Sequence, residues 1–228
     1  TPVEEGIETV VVTARRKAEQ LQDVPVAVTA LSTQDINKTG NFQAADLAQQ
    51  VPNLNVDAAF AGNYNFAIRG QSQVFGGLFP SVVPYFADVP LFRVTEGQFY
   101  DLDNIQVLRG PQGTLFGRVT DGGNIMIVPQ KPTNNFEGYV EAKAGDYNLY
   151  GVTGAINIPL VDDKLLFRAS FDIDRRDGYV TNINNNADLG NVNYNSFRLS
   201  LVFRPTSNLE NYTIFSYNGA NESGTPLE

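Results

Sequence analysis

From residue 135 onward apolar and polar side chains alternate with a period of two, a pattern that commits the chain to strands with two chemically different faces. In the first run Phe136, Gly138, Val140, Ala142 and Ala144 oppose Glu137, Tyr139, Glu141 and Lys143. In the second, Tyr150, Val152, Gly154, Ile156 and Ile158 oppose Thr153 and Asn157. The third sets Leu165, Phe167, Ala169, Phe171 and Ile173 against Arg168, Ser170, Asp172 and Asp174. The fourth sets Phe197, Leu199, Leu201 and Phe203 against Arg198, Ser200 and Arg204. A fifth run, Leu209 to Tyr217, does not sort into faces. Val161-Asp162-Asp163 and Pro205-Thr206-Ser207-Asn208 read as tight turns, whereas the Asn-rich piece from Asp177 to Asn195 reads as a long loop at the opposite end. Strands of about ten residues, with short turns at one end and long loops at the other, match an outer-membrane barrel. A soluble antiparallel sandwich also alternates, so patterning alone leaves both open.

Composition narrows the chemistry. The 228 residues contain neither Cys nor His, which removes disulfide frameworks, thiolate metal sites and the usual nucleophile and base pairs. No catalytic or metal site is predicted, and no cofactor. A formal charge of -9 without a Lys/Arg cluster argues against nucleic acid, because phosphate neutralisation needs a basic surface. The longest uncharged stretch, Gly70 to Ala87, contains Gly76, Gly77, Pro80 and Pro84 and cannot be a spanning helix. Entry into a bilayer would therefore require strands of a closed barrel. No secretory signal precedes Thr1, as expected of a cytosolic protein or a processed form.

Three regions follow. Residues 1–24 form a polar leader, 25–132 a small mixed α/β globule, and 133–228 the alternating strands. In the globule, Val26 to Leu31 reads as a strand and Ser32-Thr33-Gln34-Asp35 as a capping-box-like helix start stopped by Gly40. A second helix, capped by Asn41 and carrying Ala44, Ala45, Leu47 and Ala48 on its apolar side, ends at Val51-Pro52. Short strands are expected at 54–56, 66–69, 82–86, 105–108 and 125–128. The leader holds Glu8, Thr9, Val10, Val11, Val12, Thr13 and Ala14, five of them consecutive β-branched residues. Such a peptide favours an extended conformation and suits pairing with a partner's sheet edge, or simply a first strand.

Taken in order, these segments resemble the N-terminal part of TonB-dependent outer-membrane transporters. Glu8 to Ala14 resembles the TonB box, and Gln22-Asp23-Val24-Pro25 through Leu31 the opening of the plug domain. Asp46-Leu47-Ala48 through Val51-Pro52-Asn53-Leu54, Ile68-Arg69-Gly70 and Val83 to Pro90 resemble successive plug elements. Ile105-Gln106-Val107-Leu108-Arg109-Gly110-Pro111-Gln112-Gly113-Thr114-Leu115-Phe116-Gly117-Arg118 is the most specific stretch. The chain departs from the family where Asn-x-x-Gly-Gly-Ala-Ile-Asn-Ile is usual and Val119-Thr120-Asp121-Gly122-Gly123-Asn124-Ile125-Met126-Ile127 stands instead. Both turn glycines remain, so the change bears on local packing.

The resemblance implies a mixed α/β plug domain followed by the first antiparallel strands of a transmembrane β-barrel of twenty-two strands. It implies active import of a scarce nutrient (siderophore, haem, cobalamin or glycan) across the outer membrane, with the N-terminus in the periplasm and no catalysis. The TonB energising protein would be the partner of the heptad. By family analogy Arg69 and Arg109 form a latch with wall carboxylates expected beyond Glu228. The outward plug tips, 58–65 and 71–80, offer Phe60, Asn63, Tyr64, Gln73, Phe75 and Phe79 to substrate. About five strands cannot close a barrel, so the remaining ones come from a longer chain or a second polypeptide. The contrasting expectation is a soluble periplasmic β-rich carbohydrate-binding or adhesive module.

Overall fold

The computed structural model describes residues 11–12, 19–20, 27–38, 42–58, 63–72, 80–92, 94–111, 113, 120–183, 186 and 188–221. They group into two compact units, one of 1–56, 65–92 and 102–128, the other of 57–64, 93–101 and 129–228.

In the leader, β1 (Val11–Val12) pairs antiparallel with β2 (Glu19–Gln20). The first unit is otherwise built on a five-stranded sheet. β3 (Ala27–Ser32) leads into α1 (Thr33–Lys38), which starts on a reciprocal cap. Ser32 donates N–H and Oγ to Asp35 Oδ2 at 3.2 and 2.8 Å, and the Asp35 N–H returns to Ser32 Oγ at 3.3 Å. α2 (Asp46–Gln50) follows, with Ala44 and Ala45 in the turn ahead of it and Asp46 accepting from the Gln43 N–H at 2.8 Å. Asn41, expected to cap it, lies outside the described residues.

β4 (Leu54–Ala58) and β5 (Tyr64–Ile68) form a two-stranded ribbon. β6 (Val82–Phe86), β7 (Val89–Pro90), β8 (Leu102–Arg109) and β9 (Gly123–Pro129) complete the sheet in the order β3-β8-β9-β6-β7. β6 and β9 run parallel. The central strands are buried on both faces, with Ile105, Val107, Leu108, Ile125 and Ile127 fully enclosed, so they read as continuous apolar runs rather than alternation. Gly123 sits at φ +140°, and a Cβ there would meet the Leu108 carbonyl oxygen at 2.0 Å, which explains why this second turn glycine is retained.

The second unit carries a meander of β10 (Glu137–Gly145), β11 (Leu149–Val161), β12 (Leu165–Arg176), β15 (Val192–Thr206) and β16 (Leu209–Ala220), each antiparallel to the next. The expected long loop is shorter than read. A small hairpin, β13 (Val180–Thr181) with β14 (Asp188–Leu189), occupies it, and β15 already begins at Val192. Pairing also resolves the fifth run. Phe215 stands opposite Leu199 and Tyr217 opposite Phe197, whereas Tyr212 stands opposite Val202 and Asn218 opposite Ser196. The run resisted sorting because Tyr212 and Ile214 share the Ser200 side while Asn211 and Thr213 share the Leu201 side.

The polarity of this sheet is inverted relative to a soluble protein. Asp174, Arg198 and Ser196 are 1%, 3% and 0% exposed, while Phe136, Val140 and Phe215 are 74%, 72% and 64% exposed. Each large apolar side chain left in water forgoes about 1.5–3 kcal/mol of burial. A contiguous face of them calls for an apolar partner, and apolar-out, polar-in alternation along long antiparallel strands is the pattern of an outer-membrane barrel wall. Among the described residues no helix is long and apolar enough to cross a membrane.

Candidate functional site

The inward side of the strands is a polar network, and its centre is a piece of chain that is not itself a strand. Residues 94–101 carry a 3₁₀ turn at Glu96–Gln98, closed by a capping box in which the Thr95 N–H donates to Gln98 Oε1 at 3.3 Å. The segment ends at Asp101, in the left-handed region at φ +50°, which aspartate tolerates better than most residues. Arg168 on β12 grips Asp101 in the two-pronged manner of a guanidinium on a carboxylate, Nε to Oδ2 at 2.9 Å and Nη2 to Oδ1 at 2.5 Å. The Tyr139 hydroxyl reaches Oδ1 at 3.4 Å. The two charged side chains are only 7% and 3% exposed, so losing one would strand its partner in a dry site at a cost of about 3–5 kcal/mol.

Arg198 on β15 reads backbone instead. Its Nη1 donates to the carbonyls of Tyr100 (3.0 Å) and Asp101 (3.2 Å), its Nη2 approaches that of Gln98 (3.5 Å), and its carbon lies 4.3 Å from the Tyr100 ring centre. Burial pushes the Tyr100 hydroxyl up to about 12, the nearby Arg198 opposing, so it stays neutral and donor-competent. Asn218 on β16 donates to Thr95 Oγ1 at 3.1 Å. Gly97 has no room for a Cβ, which would fall 2.1 Å from Ser196 Oγ and 2.3 Å from Asn218 Nδ2. A second cluster lies further along the same face. The Tyr194 hydroxyl sits 3.0 Å from Asp172 and 2.8 Å from Asp174, Thr153 donates to Asp172 at 2.5 Å, and Lys143 pairs with Asp174 at 2.5 Å.

Of the residues singled out in the sequence, the heptad is described only at Val11 and Val12, which lie in extended backbone, Val11 opposite Gln20 and Val12 opposite Glu19. Glu8, Thr9, Val10, Thr13 and Ala14 lie outside the described residues, as do Phe60, Gln73, Phe75 and Phe79. Asn63 and Tyr64 are half-buried. The Tyr64 hydroxyl donates to the Glu96 carboxylate and the Tyr64 backbone N–H to the Val94 carbonyl at 3.0 Å, so side chain and backbone together tie 64 to 94–96.

Arg69, read from sequence as a strand residue, stands in the turn just past β5 at φ +55°, exposed, its N–H on the Asn53 carbonyl at 3.0 Å. It lines a cleft of about 420 Å³ with Gln71, Gly110 and Asp121. Arg109 ends β8, half-buried, with an enclosed Nε that has no hydrogen-bond partner among the described residues. No described carboxylate forms an ion pair with either arginine. The residues sequence reasoning missed are Asp101 and its two wall arginines. Arg168 and Arg198 were visible on the polar faces of their strands, but nothing local marks Asp101 as their common target.

Residues 20–124 match the family described as TonB-dependent Receptor Plug Domain. The pesticin receptor of Yersinia pestis is 30% identical over 162 residues, 69% of this chain and 24% of that protein. The ferripyoverdine receptor of Pseudomonas aeruginosa is 28% identical over 155 residues, 67% of this chain and 19% of that one. The chain thus spans about a quarter or less of these relatives' length. The crystal structure of the ferric yersiniabactin uptake receptor FyuA from Yersinia pestis superposes with a TM-score of 0.71 at 26% identity, covering 80% of this chain and 29% of that one. That of the Pseudomonas aeruginosa ferripyoverdine receptor gives 0.75 at 19% identity over 97% and 30%, a likeness of fold.

Proposed function

The chain belongs to the TonB-dependent receptors, and on that premise we propose that it is the plug and first wall strands of an importer of ferric siderophore-class chelates across the bacterial outer membrane. The observation that carries this reading is the inverted sheet, apolar outside and polar inside, with a plug-sequence segment seated on its polar face. The substrate class is supported by a relative named for ferripyoverdine and a structural neighbour named for ferric yersiniabactin. The leader 1–24 hangs in the periplasm, 25–132 is the plug and 133–228 opens the barrel, whose remaining strands complete the wall within outer-membrane lipid.

In this reading Glu8 to Ala14 is the TonB box. TonB adds a strand to it, and the pull is borne by several backbone hydrogen bonds at once. Phe60, Asn63, Gln73, Phe75 and Phe79 offer aromatic and amide groups to the chelate, and Tyr64 braces that tip through Glu96. Arg69 and Arg109 act as a releasable latch to wall carboxylates. Val11→Pro in the full-length receptor is the test, since proline removes a ladder donor. Binding of the iron-loaded chelate should stay within about twofold of the parent while energised uptake falls to the level of cells lacking TonB. Equal uptake by mutant and parent would remove the heptad from the mechanism.

A further inference from the structure

Residues 94–101 fall inside the stretch that matches the plug family, yet they belong to the same compact unit as the wall strands. Three strands hold them by different means: a buried bidentate ion pair from β12, three carbonyl contacts and a stacked guanidinium from β15, and a side-chain hydrogen bond from β16. Gly97 is pressed against Ser196 and Asn218 so closely that no side chain fits between them. We infer that this segment is the fixed anchor of the plug, remaining on the wall through a transport cycle while residues N-terminal to it take up the pull. The inference rests on the import reading above.

Connectivity supports it. Along the chain the heptad is separated from residue 94 by β3, α1, α2 and β4 to β7, and the shorter path runs through the pairing of β3 with β8, which starts beside Asp101, so these elements and that pairing carry the load to the anchor. The anchor's ion pair is out of water, where neither charge can be rehydrated until the segment has already left. Asp101 and Arg198 are thus positioning residues for transport, holding the plug rather than touching the chelate.

These 228 residues contain no cysteine, so with any cysteine elsewhere in the full-length receptor replaced by serine, Thr95→Cys with Asn218→Cys places one thiol pair across the contact. The pair is joined by a short bis-methanethiosulfonate, each thiol displacing one methanesulfinate, and closure is scored by a reductant-reversible shift in the mobility of the denatured protein that the monofunctional reagent does not give. The cross-linked receptor should take up ferric chelate within about twofold of its reduced form. A cross-linked receptor that binds chelate but imports none, and recovers on reduction, would overturn the anchor. Failure of the parent itself to import any ferric chelate would instead count against the import reading.

A second variant works in the opposite direction. Asp101→Asn removes the charge that Arg168 grips, so vancomycin, too large for general porins, should enter cells with active TonB and not cells without it. Exclusion in both, or equal entry in both, would also overturn the anchor. Heat-modifiable gel mobility confirms that the variant's barrel has folded.

Discussion

Asn124 is fully buried in β9, and neither its Oδ1 nor its Nδ2 meets a hydrogen-bond partner among the described residues. An enclosed amide left unpaired costs about 1–3 kcal/mol. Asn124→Ala, which restores the alanine usual in the family, should therefore strengthen amide-exchange protection of β9 in the intact receptor by about 1 kcal/mol or more. Unchanged or weaker protection would mean the amide is satisfied. Asn157 is the opposite case. It is equally buried but donates to the carbonyls of Thr133 (2.9 Å) and Asn135 (2.5 Å) and accepts from the Thr133 N–H at 3.0 Å, tying down the linker into β10. Sequence alone did not tell the two asparagines apart. Both sit in strands, and what separates them is a partner 24 residues away in one case and none among the described residues in the other.

At the scale of elements, local signals were legible and long-range ones were not. Ser32 to Asp35 announced a helix start because the cap lies within four consecutive residues, and its geometry makes a pH prediction. The Lys38 ammonium, at 3.0 Å, and then Ser32 hold the Asp35 carboxyl below its ordinary value. A depressed carboxyl contributes stability that is present above the unfolded value and lost as pH falls through the folded one. Exchange protection of α1, corrected for intrinsic rates, should stay level from pH 8 to 5 and drop below about pH 4, by about 0.3–0.5 kcal/mol, the size of a solvent-screened helix pair. Asp35→Asn should flatten that profile; an identical drop in the variant would assign it elsewhere. Period-two alternation likewise gave β10, β11, β12 and β15, because one face of each is uniform. It failed on β16, where both faces mix polar and apolar groups, and it missed β13 and β14, two residues each, inside an Asn-rich loop.

For the whole molecule, the consequential fact is which side of the wall is dry. Leu199 points to the side shared by Phe197, Phe203 and Phe215, all substantially exposed. Leu199→Arg should destabilise the full-length receptor in liposomes by about 2–4 kcal/mol, read from urea unfolding, if that side meets the bilayer midplane. A change near zero would place the residue in water and undo the barrel assignment. The candidate site was half legible for a related reason. A buried guanidinium on the inward face demands acceptors, which chemistry alone foretells, but the choice of the Asp101 carboxylate for Arg168 depends on the chain returning to a strand 67 residues later.

That return also fixes an order of events during biogenesis. Each wall strand can pair with the one just made, whereas the cradle for Gly97 is built from Ser196 and Asn218, and the Thr95 contact spans 123 residues. Contacts so distant in sequence form slowly and late. A nascent polypeptide that has not yet laid down β16 already offers residues 94–101 the arginines of β12 and β15 but lacks Asn218, so their seat is completed only with that last strand.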